Sequence, residues 1–424
     1  MLRAIQSDNF PPFRKFLLKL PPVENKPDNL AEVHLFTGVN GTGKTRLLSL
    51  LAAMLGNDAP LLKRVKGIEK LFFVDASGFS PNQNNQLQGL CSFSVQASKA
   101  GWETCLRPLA EWINGPAFAY NGIAYVSDPP INGVSITSTP KLTREQCLSF
   151  IRAEGESHHL LQAIINLQFQ RALDVLNPSE AGRSRSAILI AAIEGALGEI
   201  TGSNFKFIVK SYPKTQIGVY WGNQNLPFDL LPDGLRSIIG WLVHAGVMMD
   251  TWLQGKGNPL EAEAVFLLDE IESHLHPAWQ RKILPAFQRL FPKAQIFIAT
   301  HSPFVIASLN HGWIHQLTME PDGTVTVQEP KAASAGDSYI SVVEDIMGVK
   351  EWYDPDSEKL LSEFRTLRDA AYHGDAESQT KARSLAVEIG KRSMELDYLM
   401  GKELKQMDHQ LSKKNGKHEE VHQA

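Results

Sequence analysis

Short runs of apolar residues alternate with amphipathic stretches along most of this chain. The runs have the length of strands buried inside a sheet, and they occupy residues 32–36, 70–74, 264–268 and 295–299. Apolar faces with helical periodicity predict helices over residues 46–55, 235–248, 279–290 and 303–309. Strands that alternate with helices in this way are typical of an α/β protein with a mostly parallel central sheet.

Two segments depart from this pattern. Between the two halves of the sheet, two or three helices are predicted from about residue 143 to 199, a strand at 122–126, and paired strands at 205–209 and 217–221. A late hairpin is predicted over 313–318 and 324–328, and helix formers fill 357–371 and 375–410. We therefore expect four parts. The α/β domain, which we call the head, is divided into an N-terminal part at 1–75 and a second part at 225–331. A mixed and partly helical insertion at 76–224 separates them, and a helical tail follows at 332–424.

Composition restricts the class of protein. The 424 residues are 43% hydrophobic and 21% charged, and the formal net charge is -4, which are values of a soluble globular protein. The sequence contains no run of about 18 apolar residues, which is the length that a membrane-spanning helix needs, so no membrane partner is expected. The three cysteines form no C-x-x-C pair and favour reduced thiols over a disulfide framework. These features predict a cytoplasmic protein.

A glycine-rich stretch directly follows the first buried strand and leads into a helix. Its sequence is GVNGTGKT at positions 38–45, which matches G-x-x-x-x-G-K-[ST]. Glycines let successive backbone N–H groups point at phosphate oxygens, and the helix N-terminus favours negative charge. The pattern predicts an ATP site with Mg²⁺, in which Lys44 reaches the β- and γ-phosphates and Thr45 binds the metal. The predicted nucleotide-binding residues are Gly38, Asn40, Gly41, Thr42, Gly43, Lys44 and Thr45.

The apolar strand VFLL at 265–268 ends in Asp269 and Glu270. Acids at the carboxyl end of a strand face the ligand crevice of an α/β sheet. Asp269 is predicted to hold Mg²⁺, and Glu270 to polarise or orient the attacking water. The alternative is a helix N-terminus enriched in acids, which is a common arrangement without a ligand.

The next buried strand ends in Thr300, His301 and Ser302. His301 is predicted to donate a hydrogen bond to a γ-phosphate oxygen, although a histidine at a strand end is often only a structural residue. His274 and His276 follow closely after Glu270, so a metal site that includes them is an open alternative. They do not, however, form the helical H-x-x-x-H face of a zinc site.

The strings DEIESHLHPAWQ at 269–280 and ATHSP at 299–303 resemble the ABC-type ATPases of the RecF and OLD group. The resemblance covers about residues 33–55 and 226–309. It implies an ABC-type P-loop head that dimerises around ATP and hydrolyses it. It also implies a signature loop that contacts the partner's γ-phosphate, and the matching stretch is LPDGLRS at 231–237. Pro232 stands where the family has serine, while Gly234 still allows close backbone approach.

The C-terminal region, with SMEL at 393–396 and GKEL at 401–404, looks like the tails of PtuA-type ATPases from Septu and related retron anti-phage systems. In that family the ATPase works beside an HNH nuclease encoded as a separate chain. No nuclease signature is found in this sequence, so the resemblance implies that any nuclease activity comes from a partner.

Two other functions remain open at the level of sequence. One is a RecF-like DNA-repair ATPase, for which basic stretches such as 63–70 and 413–417 are candidate contacts to DNA or RNA. The other is an ABC transporter subunit, against which the long insertion, the HLHP string and the altered signature loop argue.

Overall fold

The computed structural model describes residues 2–7, 12–13, 16–55, 71–75, 91–93, 95–98, 101–104, 117–121, 157–176, 185–210, 216–253, 256–333, 336 and 338–421. The chain divides into two compact units, Met1–Met347 and Gly348–Ala424. The predicted boundaries at 75, 224 and 331 stay predictions, and the division at 347 lies later than the predicted start of the tail.

The described strands all lie in the first unit. They are β1 Leu2–Ser7, β2 Phe16–Lys19, β3 Glu32–Thr37, β4 Leu71–Asp75, β5 Cys91–Phe93, β6 Val95–Ser98, β7 Gly101–Thr104, β8 Ala117–Asn121, β9 Phe205–Lys210, β10 Gln216–Trp221, β11 Gln224–Pro227, β12 Ala264–Asp269, β13 Ala294–Ala299, β14 Trp313–Met319, β15 Val325–Val327 and β16 Lys331–Ala332.

The described helices occur in both units. Those of the first unit are α1 Lys44–Leu55, α2 Ser157–Leu176, α3 Arg185–Thr201, α4 Asp233–Trp252, α5 Pro277–Leu290, α6 Pro303–Ile306 and α7 Tyr339–Ser341, with 3-10 turns at Phe228–Leu230 and Pro259–Glu261 and a π-helix at Val342–Ile346. The second unit contains α8 Pro355–Tyr372, α9 Ala376–Gly390 and α10 Met394–Val421. None of the described helices has the length and hydropathy that crossing a bilayer requires.

The central sheet runs in the order β15-β14-β3-β13-β12-β8, and β16 adds to the edge of β14. Every pair from β14 to β8 is parallel, whereas β15 and β16 pair antiparallel with β14. The predicted α/β head with a mostly parallel central sheet and C-terminal helices is confirmed. All six residues are buried in each of β3, β12 and β13, which explains their continuous apolar runs.

The register of the parallel strands brings their carboxyl ends to one edge. Asn121 pairs with Asp269, Asp269 with Ala299, Ala299 with Phe36, and Phe36 with His315. The segments that leave this row after β3, β13 and β12 are therefore neighbours in space. They are the three segments to which the sequence assigns chemistry.

The N-terminal strands form a second, antiparallel sheet in the order β2-β1-β4-β5. The central sheet holds it through Gln295 of β13, which is fully buried. The Gln295 side chain accepts a hydrogen bond from the Leu2 amide at 2.8 Å and donates one to the Leu2 carbonyl at 2.9 Å. The sequence pattern did not predict strands before residue 32.

Several predicted elements differ from the structure. The helix predicted over 303–309 ends at Ile306, and the helix predicted over 375–410 is two helices, α9 and α10. Within the predicted insertion, β8 pairs with β12 in the central sheet. The strand predicted at 122–126 and the first part of the helical stretch, before Ser157, lie outside the described residues.

Candidate functional site

The phosphate-binding-type loop joins β3 to α1 at the carboxyl edge of the central sheet. Thr42 closes the turn, because its hydroxyl donates to the Val39 carbonyl at 2.9 Å. The Lys44 ammonium lies over the loop and donates to the carbonyls of Gly38 and Val39 at 2.8 and 3.1 Å. Val39, Asn40 and Gly41 are exposed. The loop thus has the compact curl that the sequence predicts.

Glycine is required in this loop for its backbone geometry. Gly38, Gly41 and Gly43 have φ of 149°, 89° and 85°, a region that L side chains rarely adopt. A Cβ on Gly43 would also lie 3.1 Å from the side chains of Pro12 and Phe13. The helix α1 begins at Lys44, so its N-terminal N–H groups face the same loop.

The loop and the acidic strand end meet in one place. The Thr45 hydroxyl donates to the Asp269 carboxylate at 3.1 Å, although 224 positions separate the two residues in sequence. Asp269 is the last residue of β12 and is buried at 9% exposure. A hydroxyl and a carboxylate at this distance are oxygen ligands of the kind that Mg²⁺ prefers.

The Lys44 ammonium and the Asp269 carboxylate are both buried in this site. Burial lowers the pKa of Lys44 to about 8, although the negative charges of Asp269 and two nearby glutamates act in the opposite direction. Burial raises the pKa of Asp269 to about 6, and Glu270 and Glu272 add to this rise. The hydrogen bond from Thr45 and the charge of Lys44 oppose it. A bound cation and anion would relieve both effects.

Glu270 lies in a strained turn directly after β12. Its φ is 50°, a left-handed conformation that costs a non-glycine residue on the order of 1 kcal/mol. Its amide donates to the Ala299 carbonyl at 2.9 Å, which ties the turn to β13. The Glu270 side chain is exposed, and its carboxylate accepts a hydrogen bond from the Ser273 hydroxyl at 3.4 Å. The carboxylate is therefore free to face a ligand.

His301 follows β13 and belongs to the same site. Burial lowers its pKa, the charge of Lys44 lowers it further, and Glu270 raises it. The ring is half-buried and lies within electrostatic reach of both residues. The structure thus places Lys44, Glu270 and His301 in one group, as the sequence predicts; their catalytic roles stay predictions.

Two residues of the site were missed by the sequence analysis. Glu272 accepts a hydrogen bond from the His301 amide at 2.8 Å. Gln280 of α5 accepts a hydrogen bond from the Ser302 hydroxyl at 2.6 Å. The only sequence signal for Glu272 was its place as the third acid in D-E-I-E, which no spacing rule assigns to a role.

The HLHP string has structural roles in the turn before α5. His276 caps α5, since its ring accepts a hydrogen bond from the Ala278 amide at 3.2 Å, and Pro277 occupies the first helical turn. Leu275 is buried, while His274 has a φ of 61°. Among the described residues, no group of three or more histidines, cysteines, aspartates and glutamates is arranged to hold a metal ion.

The stretch that resembles a signature loop forms the start of α4. Gly234 is buried, and a Cβ there would lie 2.5 Å from the His274 carbonyl oxygen of the same chain. This contact gives Gly234 a packing reason that the sequence analysis did not foresee. Asp233 pairs with Arg236, and Pro232 leaves the first turn without a side-chain cap. A contact between Gly234 and the nucleotide of a second copy stays a prediction.

Comparison with known proteins gives one family model and several curated relatives of low identity. A family model described as "AAA domain, putative AbiEii toxin, Type IV TA system" matches residues 199–307. The Septu protein PtuA of Bacillus thuringiensis is 28% identical over 154 residues, which are 35% of this chain and 38% of the relative. The Septu protein PtuA of Bacillus mycoides is 23% identical over 313 residues, covering 73% of this chain and 39% of the relative.

A third relative comes from a retron. The "Retron Ec83 probable ATPase" of Escherichia coli is 26% identical over 171 residues, which are 40% of this chain and 30% of the relative. Each match spans less than two fifths of the relative's length. The resemblance to PtuA-type ATPases of anti-phage defence systems is confirmed, at low identity.

Among solved structures, the SMC head domain from Thermotoga maritima aligns with a TM-score of 0.40 at 11% sequence identity. The alignment covers 78% of this chain and 99% of that chain.

Proposed function

We propose that this chain, a P-loop protein similar to the PtuA-type ATPases, binds ATP with Mg²⁺, hydrolyses it between two copies of the head, and thereby controls a separate nuclease in anti-phage defence. One observation carries the first part of this proposal. The hydrogen bond between Thr45 and Asp269 unites the glycine-rich loop with the acidic strand end at the carboxyl edge of the sheet.

The residues present fit Mg²⁺ and a triphosphate. Thr45 and Asp269 supply two oxygen ligands, and Mg²⁺ commonly takes its remaining ligands from water and substrate phosphates. The backbone curl at positions 38–43 and the N-terminus of α1 supply N–H donors for phosphate oxygens. Magnesium would neutralise charge on the β- and γ-phosphates when bound.

The chain's own residues would then divide the work of hydrolysis. Lys44 would exchange its loop carbonyl partners for phosphate oxygens, because an anionic oxygen attracts the ammonium more strongly than a neutral carbonyl does. Glu270, exposed and held in its strained turn, would accept a proton from a water molecule or orient it. His301 would donate to a γ-phosphate oxygen.

A head-to-head dimer is supported by the start of α4. The first turn of this 20-residue helix has no side-chain cap, and Asp233 and Pro232 are exposed. Uncapped N–H groups at a helix start are suited to a partner's phosphate. The Asp233 carboxylate is held by Arg236 of the same turn, which reduces its repulsion of an anion.

The link to a nuclease rests on similarity to the Septu and retron proteins, not on a site in this chain. The sequence carries no nuclease motif of its own. An HNH-type subunit encoded next to this chain is the partner that we propose.

The test compares the wild type with Glu270→Gln, which keeps the size of the side chain but removes its charge. We expect hydrolysis to slow by about 100-fold or more, since a positioned base contributes that much, while ATP stays bound. On size-exclusion chromatography with light scattering, Glu270→Gln with Mg²⁺ and ATP should elute as a larger oligomer than without ATP.

The control is Glu263→Gln, an exposed acid just before β12, which should behave as the wild type. Hydrolysis by Glu270→Gln at the wild-type rate would contradict the role of Glu270. An unchanged oligomeric state in both nucleotide conditions would contradict the dimer. Salt-dependent DNA binding that ATP stimulates, without a nuclease partner, would favour the RecF-like alternative instead.

A further inference from the structure

Two segments of the site are connected by side chains that the proposed chemistry does not use. One is the turn 270–276 that follows β12, and the other is the segment 300–302 that follows β13, which we call the His301 segment. Glu272 lies in the turn and directs its carboxylate to the His301 segment, where the His301 amide donates to Oε1 at 2.8 Å.

Gln280 makes a parallel connection from α5. Its amide nitrogen donates to the Leu275 carbonyl at 2.9 Å, and its amide oxygen accepts from the Ser302 hydroxyl at 2.6 Å. That hydroxyl in turn caps α6, since it accepts from the Phe304 and Val305 amides. Glu272 of the turn therefore holds the His301 amide, and Gln280 of α5 holds the Ser302 end of the His301 segment.

The Glu272 carboxylate is an unfavourable choice for stability alone. Its other oxygen, Oε2, is buried and has no hydrogen-bond partner among the described residues. An unpaired buried polar atom is destabilising, and a buried charge more so. The contribution of this carboxylate that the structure shows is its Oε1, which fixes the backbone from which the His301 ring projects.

Glu270 and Glu272 point in different directions from the same turn. Glu270 is exposed, and its carboxylate accepts a hydrogen bond from the Ser273 hydroxyl. Glu272 is turned inward, and its charge still reaches Lys44 and Asp269. The exposed Glu270 carboxylate is therefore available to a ligand, whereas the Glu272 carboxylate is bonded to the His301 backbone.

We infer that Glu272 is a positioning residue: it holds the His301 backbone so that the imidazole keeps its place near Lys44 and Glu270. The effect of Glu272 on catalysis rests on the proposed ATPase function. The hydrogen bond from the His301 amide to Glu272 can be measured independently of that function.

The test uses two variants of nearly equal volume. Glu272→Gln keeps an oxygen that accepts from the His301 amide, whereas Glu272→Met removes both oxygens and leaves only a weakly accepting sulfur. We expect Glu272→Met to lower kcat by about tenfold or more, as the loss of a charged hydrogen bond predicts, with KM and the ATP dissociation constant changed less than about threefold. Glu272→Gln should retain kcat within about threefold of the wild type. Glu263→Gln is the control, and thermal unfolding of each variant checks its fold.

A double-mutant cycle shows whether Glu272 acts through His301. Glu272→Met should have no further effect on kcat in a His301→Ala background. An equal loss in both backgrounds would overturn the inference, as would wild-type kcat in Glu272→Met. A Glu272→Gln variant as impaired as Glu272→Met would show that the charge is needed and not the acceptor, which also overturns it.

A second measurement is independent of catalysis. Hydrogen exchange of the His301 amide, followed by NMR, should be about tenfold or more faster in Glu272→Met and unchanged in Glu272→Gln. Should the wild type fail to bind or hydrolyse ATP, the proposed function fails, and this exchange rate alone decides the inference. Equal exchange in all three proteins would refute it.

Discussion

At the scale of residues, the spacing of a few side chains predicted a candidate site, and the structure brings those side chains together. The glycine-rich loop and the Asp269–Glu270 pair each have a fixed spacing that follows from phosphate and magnesium chemistry. The structure joins them through the bond from Thr45 to Asp269. Contacts such as Glu272 to His301 depend on how two turns fold against each other, which no linear spacing encodes.

A magnesium prediction belongs at this scale. Asp269→Asn removes the carboxylate charge that faces Thr45 but leaves an oxygen of the same size. We expect about tenfold more Mg²⁺ to be needed for half-maximal ATP hydrolysis, because a hard cation prefers a charged oxygen ligand. Titration of Mg²⁺ at fixed ATP concentration measures this shift.

Stability provides the matching control for Asp269. Burial raises the pKa of this carboxyl to about 6, so its ionised form is disfavoured in the fold. Without Mg²⁺, the unfolding temperature of Asp269→Asn should equal or exceed that of the wild type. Asp229→Asn, at an exposed acid in the 3-10 turn, should change neither property. An unaltered Mg²⁺ requirement in Asp269→Asn would exclude the proposed ligand role.

At the scale of elements, buried strands were the best predicted. The runs assigned to β3, β12 and β13 differ from the structure by one residue at one end, because strands buried on both faces need uninterrupted apolar residues. The N-terminal strands β1 and β2, with the sequences LRAIQS and FLLK, lack such uninterrupted runs and were missed.

The break between α9 and α10 was also missed. Both flanking segments consist of helix formers, so propensity alone predicted one helix. In the structure, Ser393 caps the start of α10, because its hydroxyl accepts a hydrogen bond from the Leu396 amide at 3.1 Å. Gly390 lets the two helices approach, since a Cβ there would lie 2.9 Å from the Asp397 carboxylate.

The packing of α4 against the turn before α5 leads to a prediction for Gly234. A Cβ at this position would meet the His274 carbonyl at 2.5 Å, and backbone cannot move aside as a side chain can. We expect Gly234→Ala to destabilise the first unit by about 1–3 kcal/mol, the usual cost of overpacking. Chemical denaturation, followed by intrinsic tryptophan fluorescence, measures this loss.

Gly195 provides a matched control in α3. It is exposed, and a Cβ there would meet no atom within 4 Å. Gly195→Ala should therefore stabilise by about 0.5–1 kcal/mol, as expected for a helix interior. Similar stability changes in both variants would contradict the packing explanation for Gly234.

At the scale of the whole molecule, the order of strands could not be read from the sequence. The chain visits β3, β12 and β13 in that order, yet β13 lies between the other two in the sheet. This crossover places β13, the strand that leads into His301, between the strand before the glycine-rich loop and the strand that ends in Asp269. Sequence patterns give the elements and their ends, whereas their neighbours in a sheet are set by packing over long distances.

The most direct test of the account measures Mg²⁺-dependent binding of a fluorescent ATP analogue to the intact chain and to Lys44→Ala. Lys293→Ala, at an exposed lysine before β13, is the control. We predict saturable binding by the wild type and the control, and at least about tenfold weaker binding by Lys44→Ala, because a charged donor to the phosphates is lost. Equal affinity in all three proteins, or no binding by the wild type, would contradict the assignment of this site to ATP.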